Sequence, residues 1–226
     1  MKITVTSDLH GDFPETPGGD LLIIAGDMTT NDSVKQWKLF YDWLAAQNYR
    51  QKVYIGGNHD NFLAQSISSE EERAILDVKP TNTEYLRDSG MEFEGLKIWG
   101  SPWTADFPEI NPHCTAFTIP WQDQDALNAK WAMIPDDIEI LITHGPPFEI
   151  LDSNFEGVCL GSMGLRERIA YLPRLKLHVF GHIHESYGKY WSGITYFGEY
   201  VSPIFINASH MNAQYEGVNP PITIDL

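Results

Sequence analysis

The chain has 226 residues, 42% of them hydrophobic, enough to close one substantial core and too many for wholesale disorder. Its formal net charge of −16 repels polyanions, so stable binding to nucleic acid, where Lys and Arg supply most of the affinity by neutralising phosphates, is not expected. No apolar run approaches the roughly 20 residues that span a bilayer, and Met1–Thr6 lacks the basic and apolar regions of a leader, so a cytoplasmic protein without a membrane partner is expected.

In chain order, residues 2–6 (KITVT) have the β-branched content of a short buried strand. Residues 20–25 (DLLIIA) form a second apolar run, suited to a strand buried on both faces. Over 33–47, Val34, Trp37, Phe40, Tyr41, Leu44 and Ala45 recur near helical spacing behind a Ser33 N-cap. KVYIGG (52–57) reads as the next strand, and the acidic stretch 69–77 as a solvated helix. LKIWGSPW (96–103) is a strand entering a turn, and the Pro-rich stretch from there to Trp121 is the longest candidate loop. Helices are expected over 123–133 and 162–171, and strands running into turns at 138–147 (IEILITHGPP) and 175–184 (LKLHVFGHIH). Residues 194–197, 203–208 and 222–225 suit terminal strands. Strands and helices alternate early without repeats or linker-like tracts, which predicts one α/β domain over residues 1–226. Cys114 and Cys159 are too few for a secreted disulfide framework and are expected to be reduced.

Five segments share one pattern, an apolar strand that stops and polar residues in the turn beyond it: SDLHG (7–11), AGDMTT (25–30), GGNHD (56–60), THGPP (143–147) and GHIHE (181–185). Strand ends in α/β sheets hold loops along one edge, where such folds place their ligands. Alone, Asp8 or Asp27 is an ordinary turn former, His144 an ordinary structural histidine, and Asn58 an ordinary left-handed turn residue. His182 and His184 say more, because alternate residues of an extended segment project to one side. Five strand ends that all deliver Asp, His or Asn are hard to explain by packing.

These ordered motifs resemble the calcineurin-like metallophosphoesterase superfamily, in the sequence Asp-x-His, Gly-Asp, Gly-Asn-His-Asp, a later His and Gly-His-x-His, from about residue 3 to 208. A closer similarity is to the metallophosphoesterase-domain-containing group of cyclic nucleotide phosphodiesterase-like proteins. It is carried by GSPW (100–103), ILITHGPP (140–147), LHVFGHIHESYG (177–188), INAS (206–209) and NPPI (219–222). Some animal members of that group are altered at Gly-His-x-His, whereas both histidines stand here. The resemblance implies two mixed β-sheets packed as a sandwich and flanked by helices. It also implies that Asp8, His10, Asp27 and His184 hold one metal, and that Asp27 bridges to a second held by Asn58, His144 and His182.

That assignment makes chemical sense. Two cations about 3.5–4 Å apart bind phosphate oxygens and activate a bridging water as hydroxide. A carboxylate suits the bridge because its two oxygens serve both ions. Oxygen and nitrogen donors without thiolate fit Mn, Fe, Zn, Co or Ni better than an all-oxygen Mg or Ca site. The resemblance places His59 towards the substrate, stabilising phosphoryl oxygens and protonating the leaving oxygen, with Asp60 fixing its tautomer. Asn31, Asp32, Trp103, His113, Phe148, Arg166 and His210 are considered as substrate contacts, and none is assigned.

The expected function is hydrolysis of phosphodiester bonds in cyclic or other small nucleotides. The acidic surface does not oppose a small anionic substrate, because bound cations dominate the local field. Alternatives are a phosphomonoesterase, including a protein phosphatase, and, from another class, a non-catalytic scaffold on the same fold. A nuclease subunit would need a capping DNA-binding region, for which little chain remains beyond residue 208.

Overall fold

Alternation of apolar side chains along the strands decides the layering. The computed structural model describes the chain except for Asn31 and residues 65–78, 107–113, 192–193 and 197–198, so the expected helix over 69–77 lies outside the described residues. Up to residue 106 the elements are β1 (Lys2–Thr6), β2 (Gly19–Ile24), α1 (Val34–Ala46), β3 (Tyr49–Tyr54), α2 (Asn61–Ala64), β4 (Thr83–Tyr85), β5 (Ser89–Phe93), β6 (Leu96–Ser101) and β7 (Thr104–Asp106). Then come β8 (Thr118–Pro120), α3 (Gln124–Trp131), β9 (Ile140–Thr143), α4 (Met163–Ile169), β10 (Leu177–Phe180) and a 3-10 turn at His184–Ser186. The chain closes with β11 (Gly188–Trp191), β12 (Ile194–Tyr196), β13 (Glu199–Val201), β14 (Ile204–Asn207) and β15 (Ile222–Asp225).

One sheet has the order β15-β1-β2-β3-β4 and the other β11-β14-β10-β9-β6-β5; β7-β8 and β12-β13 form small separate pairs. β1 to β4 run parallel, and so do β6, β9, β10 and β14, while β15, β11 and β5 are antiparallel edges. Both main sheets are therefore mixed, as expected. Ile3, Val5, Leu21, Ile23 and Val53 of the first sheet meet Ile98, Ile140, Ile142, Leu177 and Val179 of the second in one core. The intervening residues Leu22, Ile24 and Tyr54 face the other way and pack on Trp37, Phe40, Tyr41 and Leu44 of α1. On the far side Leu141, Phe180 and Phe205 pack on Leu127 and Trp131 of α3 and on Leu165 and Ile169 of α4. The result is a β-sandwich with a helical layer outside each sheet.

Local chemistry sets the helix starts. The Ser33 hydroxyl accepts from the Gln36 amide and Asp123 from the Ala126 amide. Ser162 Oγ accepts from the Leu165 amide and also from Trp131 Nε1 at 2.9 Å, which pins α4 to α3. The strand expected over 52–57 instead spans Tyr49–Tyr54 and ends before the Gly56–Gly57 turn. β5 has no counterpart among the expected strands, because it is an edge of alternating half-buried and exposed residues with little β-branched content. Both cysteines are free. Among the described residues no helix is long and apolar enough to cross a membrane.

β10 carries one unusual core group. His178 is fully buried against Phe180 and Phe205, with Nε2 2.8 Å from Thr143 Oγ1. Burial lowers its pKa from 6.5 to about 3. The unfolded chain therefore takes up a proton below pH 6.5 that the folded chain refuses, and stability falls as pH drops through that window, by about 1.4 kcal/mol per unit for one such proton. Denaturant melts of wild type and His178→Leu between pH 7 and 5 should show a shallower acid slope in the variant.

Candidate metal centre

Five parallel strands end on one rim of the sandwich. β1, β2 and β3 deliver Asp8 and His10, Asp27, and Asn58 and His59 from the first sheet. β9 and β10 deliver His144, His182 and His184 from the second. Backbone pairing continues past the strands, with Asp8 N donating to Gly26 O, His10 N to Asp27 O and Gly181 N to His144 O. Ser7 bridges to Ser209 beyond β14 and so ties the two sheets at the rim.

The loops hold their residues in uncommon backbone conformations. Asp8, His10, Asp27 and His182 all have positive φ, 51°, 44°, 55° and 70°. Such positions cost of order 1–3 kcal/mol each and persist where surrounding structure enforces them. Two glycines permit the close approach. A Cβ on Gly57 would lie 2.2 Å from Asp27 Oδ1, and one on Gly181 would lie 2.0 Å from Asp8 Oδ2.

All seven residues expected at the centre come together. Asp8, His10 and His184 bring donor atoms within 4.8 Å of one another, and so do Asp8, Asp27 and His144. Asp27 Oδ2 lies 3.3 Å from His144 Nε2 and 3.8 Å from His10 Nε2, and His184 Nε2 lies 3.4 Å from Asp8 Oδ1. Asn58 Oδ1 faces both His144 Nε2 at 2.8 Å and His182 Nδ1 at 3.0 Å. His59 also falls within 4.8 Å of His10 and Asp27.

Three observations fit this set to cations. The Asp8 and Asp27 carboxylates are 0% and 2% exposed, and no salt bridge from Lys or Arg reaches either among the described residues. Both ring nitrogens of buried His10 lack a hydrogen-bond partner. His144 Nδ1 faces the Ala25 carbonyl and His184 Nδ1 the Asn212 carbonyl, at 2.9 and 3.2 Å. A carbonyl only accepts, so each Nδ1 carries the proton, and a neutral ring turns the Nε2 lone pair into the centre, the arrangement typical of metal-bound imidazole.

Without cations, protons take over part of that role. Burial opposes charge on His144, but Asp27 outweighs it and raises the pKa to about 9. Burial likewise opposes charge on His184, yet Asp8 raises its pKa. Burial pushes Asp8 up, but His184 and His144 hold it well below the usual carboxylate range, and His144 and His59 do the same for buried Asp27. Burial, helped by neighbouring His144, keeps His182 neutral, at about 3, and burial lowers His10 to about 4 against the pull of Asp27.

His59 sits at the mouth, its ring 4.6 Å from that of His10 and its Nε2 3.2 Å from Cys114 Sγ. Burial lowers its pKa, but Asp27 and Cys114 more than reverse this, to about 10. Asp60 corrects the sequence expectation. Its buried carboxylate accepts from the amides of Gly57, Asp27 and Thr29, at 2.8, 2.9 and 3.3 Å, rather than from the His59 ring. It therefore joins the Asp27 and Asn58 loops and leaves the His59 tautomer to other groups.

Ser209 and Tyr215 also reach the centre, a role the sequence does not assign to them. Ser209 Oγ lies 2.8 Å from both Asp8 Oδ2 and Asn207 Oδ1, and the Tyr215 ring lies 5.0 Å from those of His10 and His184. Asp32 accepts from Trp37 Nε1 and the Phe62 amide, Trp103 packs among the helices, and His210 Nδ1 binds Asn219 O, so these three have structural duties. Arg166 lies in the last turn of α4 and Phe148 in the turn after β9, while Asn31 and His113 lie outside the described residues.

Two outcomes are expected. Metal binding at pH 7 should release protons, chiefly from His144, and apparent affinity should rise by up to about tenfold per pH unit for each released proton towards pH 9, as titration calorimetry in buffers of different ionisation enthalpy would read. Asp60→Ala leaves three buried amides unpaired, at about 1–3 kcal/mol each, and should lower both melting temperature and metal content. Unchanged metal content in that variant would remove its linking role.

The calcineurin-like phosphoesterase model matches residues 1–186. In an alignment of 247 positions the chain is 35% identical to metallophosphoesterase domain-containing protein 1 of Homo sapiens, spanning all of this chain and 71% of that one. It is 23% identical over 191 residues to a 3',5'-cyclic-nucleotide phosphodiesterase of Nostoc sp., spanning 80% of this chain and 62% of the relative. Among solved structures, TT1561 of Thermus thermophilus shares the fold, with a TM-score of 0.56, 16% identity and coverage of 89% and 88% of the two chains. With most of its length matched and its motif residues gathered on one rim, this chain belongs to the calcineurin-like phosphoesterase family.

Proposed function

We propose that the protein is a dinuclear metal-dependent phosphodiesterase acting on small nucleotides, cyclic ones among them. The observation that carries this reading is the shared position of Asp27, whose Oδ2 lies 3.8 Å from His10 Nε2 and 3.3 Å from His144 Nε2, between the two proposed ligand sets. Asp8, His10 and His184 would hold one cation with Asp27, and Asn58, His144 and His182 the other. Such a pair supplies Lewis acidity towards phosphoryl oxygens and activation of water at neutral pH.

The chain's own groups do the rest. The carbonyls of Ala25 and Asn212 fix the tautomers of His144 and His184, so both present Nε2 without rearrangement. His59, half-buried at the mouth of the centre, is placed to attract a phosphoryl oxygen and to hand a proton to the departing alkoxide. The Tyr215 ring packs edge-on against His10 and His184 and flanks the centre on that side. The name of the Nostoc relative supports a cyclic nucleotide as the substrate to test first.

Metal-stripped protein should be supplied in turn with Mn, Fe, Zn, Co and Ni, then assayed on bis- and mono-nitrophenyl phosphate and on cyclic nucleotides. Diesters should turn over. Turnover of monoesters alone would make it a phosphomonoesterase, and neither metal binding nor hydrolysis would make it a scaffold. His59→Ala should keep its metal content while losing about 10²–10⁴ in turnover. Full activity in that variant would take His59 out of the mechanism.

A further inference from the structure

Beside the rim lies a larger cavity of about 550 Å³ that the metal centre does not use, walled by α3, α4 and the turn after β9. It adjoins the centre closely. Gly145 and Pro146, which line it, directly follow His144. Ala105 and Leu160 line both this cavity and a smaller one of about 210 Å³ that Asn58, His182 and His184 border.

Its chemistry is the opposite of the rim's. Trp103, Trp121, Trp131, Phe148 and Leu127 supply aromatic and aliphatic surface, and the lining contains no Lys or Arg. Glu167 is its single charged residue among those described, so a phosphate has no counter-ion here. Trp103 donates its N–H to Asp88 and carries Lys130 Nζ 3.9 Å from its ring centroid, and buried Trp131 donates to Ser162, so the accessible aromatic surface is that of exposed Trp121 and half-buried Phe148. Asn128, exposed on α3, has a carboxamide with no hydrogen bond to any described residue. It lies in the crease between α3 and α4, where a Cβ on Gly164 would come 1.7 Å from its Oδ1. An unengaged donor and acceptor side by side, next to aromatic faces, suits a planar heterocycle with a donor beside an acceptor on its edge.

We propose that this cavity is a base-recognition subsite that takes the purine base of a nucleotide whose phosphate sits at the metal centre. The inference rests on the phosphoesterase reading of that centre. The volume falls within the range of small-molecule sites. The net charge of −16 and the absence of basic residues from the lining favour a free nucleotide over a polynucleotide.

Two paired measurements test it on the metal-loaded protein. One compares binding of AMP and of ribose 5-phosphate, read by quenching of tryptophan fluorescence or by calorimetry. The other compares kcat/KM for adenosine 3',5'-cyclic phosphate and for ribose 3',5'-cyclic phosphate, which lacks the base. Asn128→Leu and Trp121→Ala serve as variants, because both side chains are exposed (Trp121 by 51%) and their loss spares the core. Wild type should favour the base-bearing partner of each pair by about tenfold or more, the size expected for one stacked base. Each variant should pull that ratio towards one, through KM rather than kcat.

A wild-type ratio near one, or variants that leave the ratio unchanged, would overturn the subsite. Equal losses on both substrates with a lowered melting temperature would reduce these side chains to packing. The two readings separate cleanly. If both cyclic esters are cleaved equally well, the phosphoesterase reading stands and the subsite falls. If neither is cleaved with any metal but AMP still outbinds ribose 5-phosphate in an Asn128-dependent way, the subsite stands and the phosphoesterase reading falls.

Discussion

Two carboxylates, Asp8 and Asp27, are buried together at the rim without a Lys or Arg counter-ion among the described residues, and much of the local structure follows from that constraint. Burying such charges is costly unless something positive stands beside them. Within the chain itself His144, with its pKa raised to about 9, offers partial compensation beside Asp27, and His184, its pKa raised by Asp8, faces the other carboxylate. The opposing sheets contribute unequally to the arrangement. The first supplies both carboxylates, and the second supplies three of the four imidazoles among the seven proposed ligands. Charge neutralisation at the centre is therefore also an attraction between sheets, added to the apolar core beneath.

That geometry needs backbone that ordinary packing would avoid. Four of the seven residues have positive φ, and glycine backbone at positions 57 and 181 touches the two carboxylates. Asp60 shows how such strain is contained. One buried carboxylate accepts three amides from two loops and so fixes Asp27 against Asn58 before any ligand arrives. Ser209 does the same from the other sheet by reaching Asp8.

The strand-then-ligand pattern is legible in the sequence because parallel strands buried on both faces read as apolar runs, and ligands stand directly beyond their ends. The five motifs thus locate the rim and name its donors. The expectation for Asp60 fails for a physical reason: adjacency in sequence to His59 says nothing about direction, and in this tight turn the two side chains point to different partners. Tyr215 leaves no trace because a single residue in the connection between β14 and β15 carries no periodicity, and Ser209 is legible only as the end of the INAS segment, with no sign of its contact to Asp8. The β5 edge is hidden because exposed edges lack the hydrophobic alternation that marks interior strands.

The division of chemistry across the molecule bears on specificity. A dinuclear centre attracts phosphate esters of many kinds, since it reads charge and geometry at phosphorus and little else. Selection among esters must then come from surfaces that the rest of the substrate touches. Here the rim concentrates acidic and imidazole groups, whereas the neighbouring α3–α4 crease offers aromatic walls, one unengaged carboxamide and a single carboxylate. A substrate with an anionic phosphate and a flat, uncharged base is complementary to both halves at once. A simple alkyl ester would use only the first. On the proposed reading, the polar rim would set the class of reaction and the crease beside it the choice among substrates.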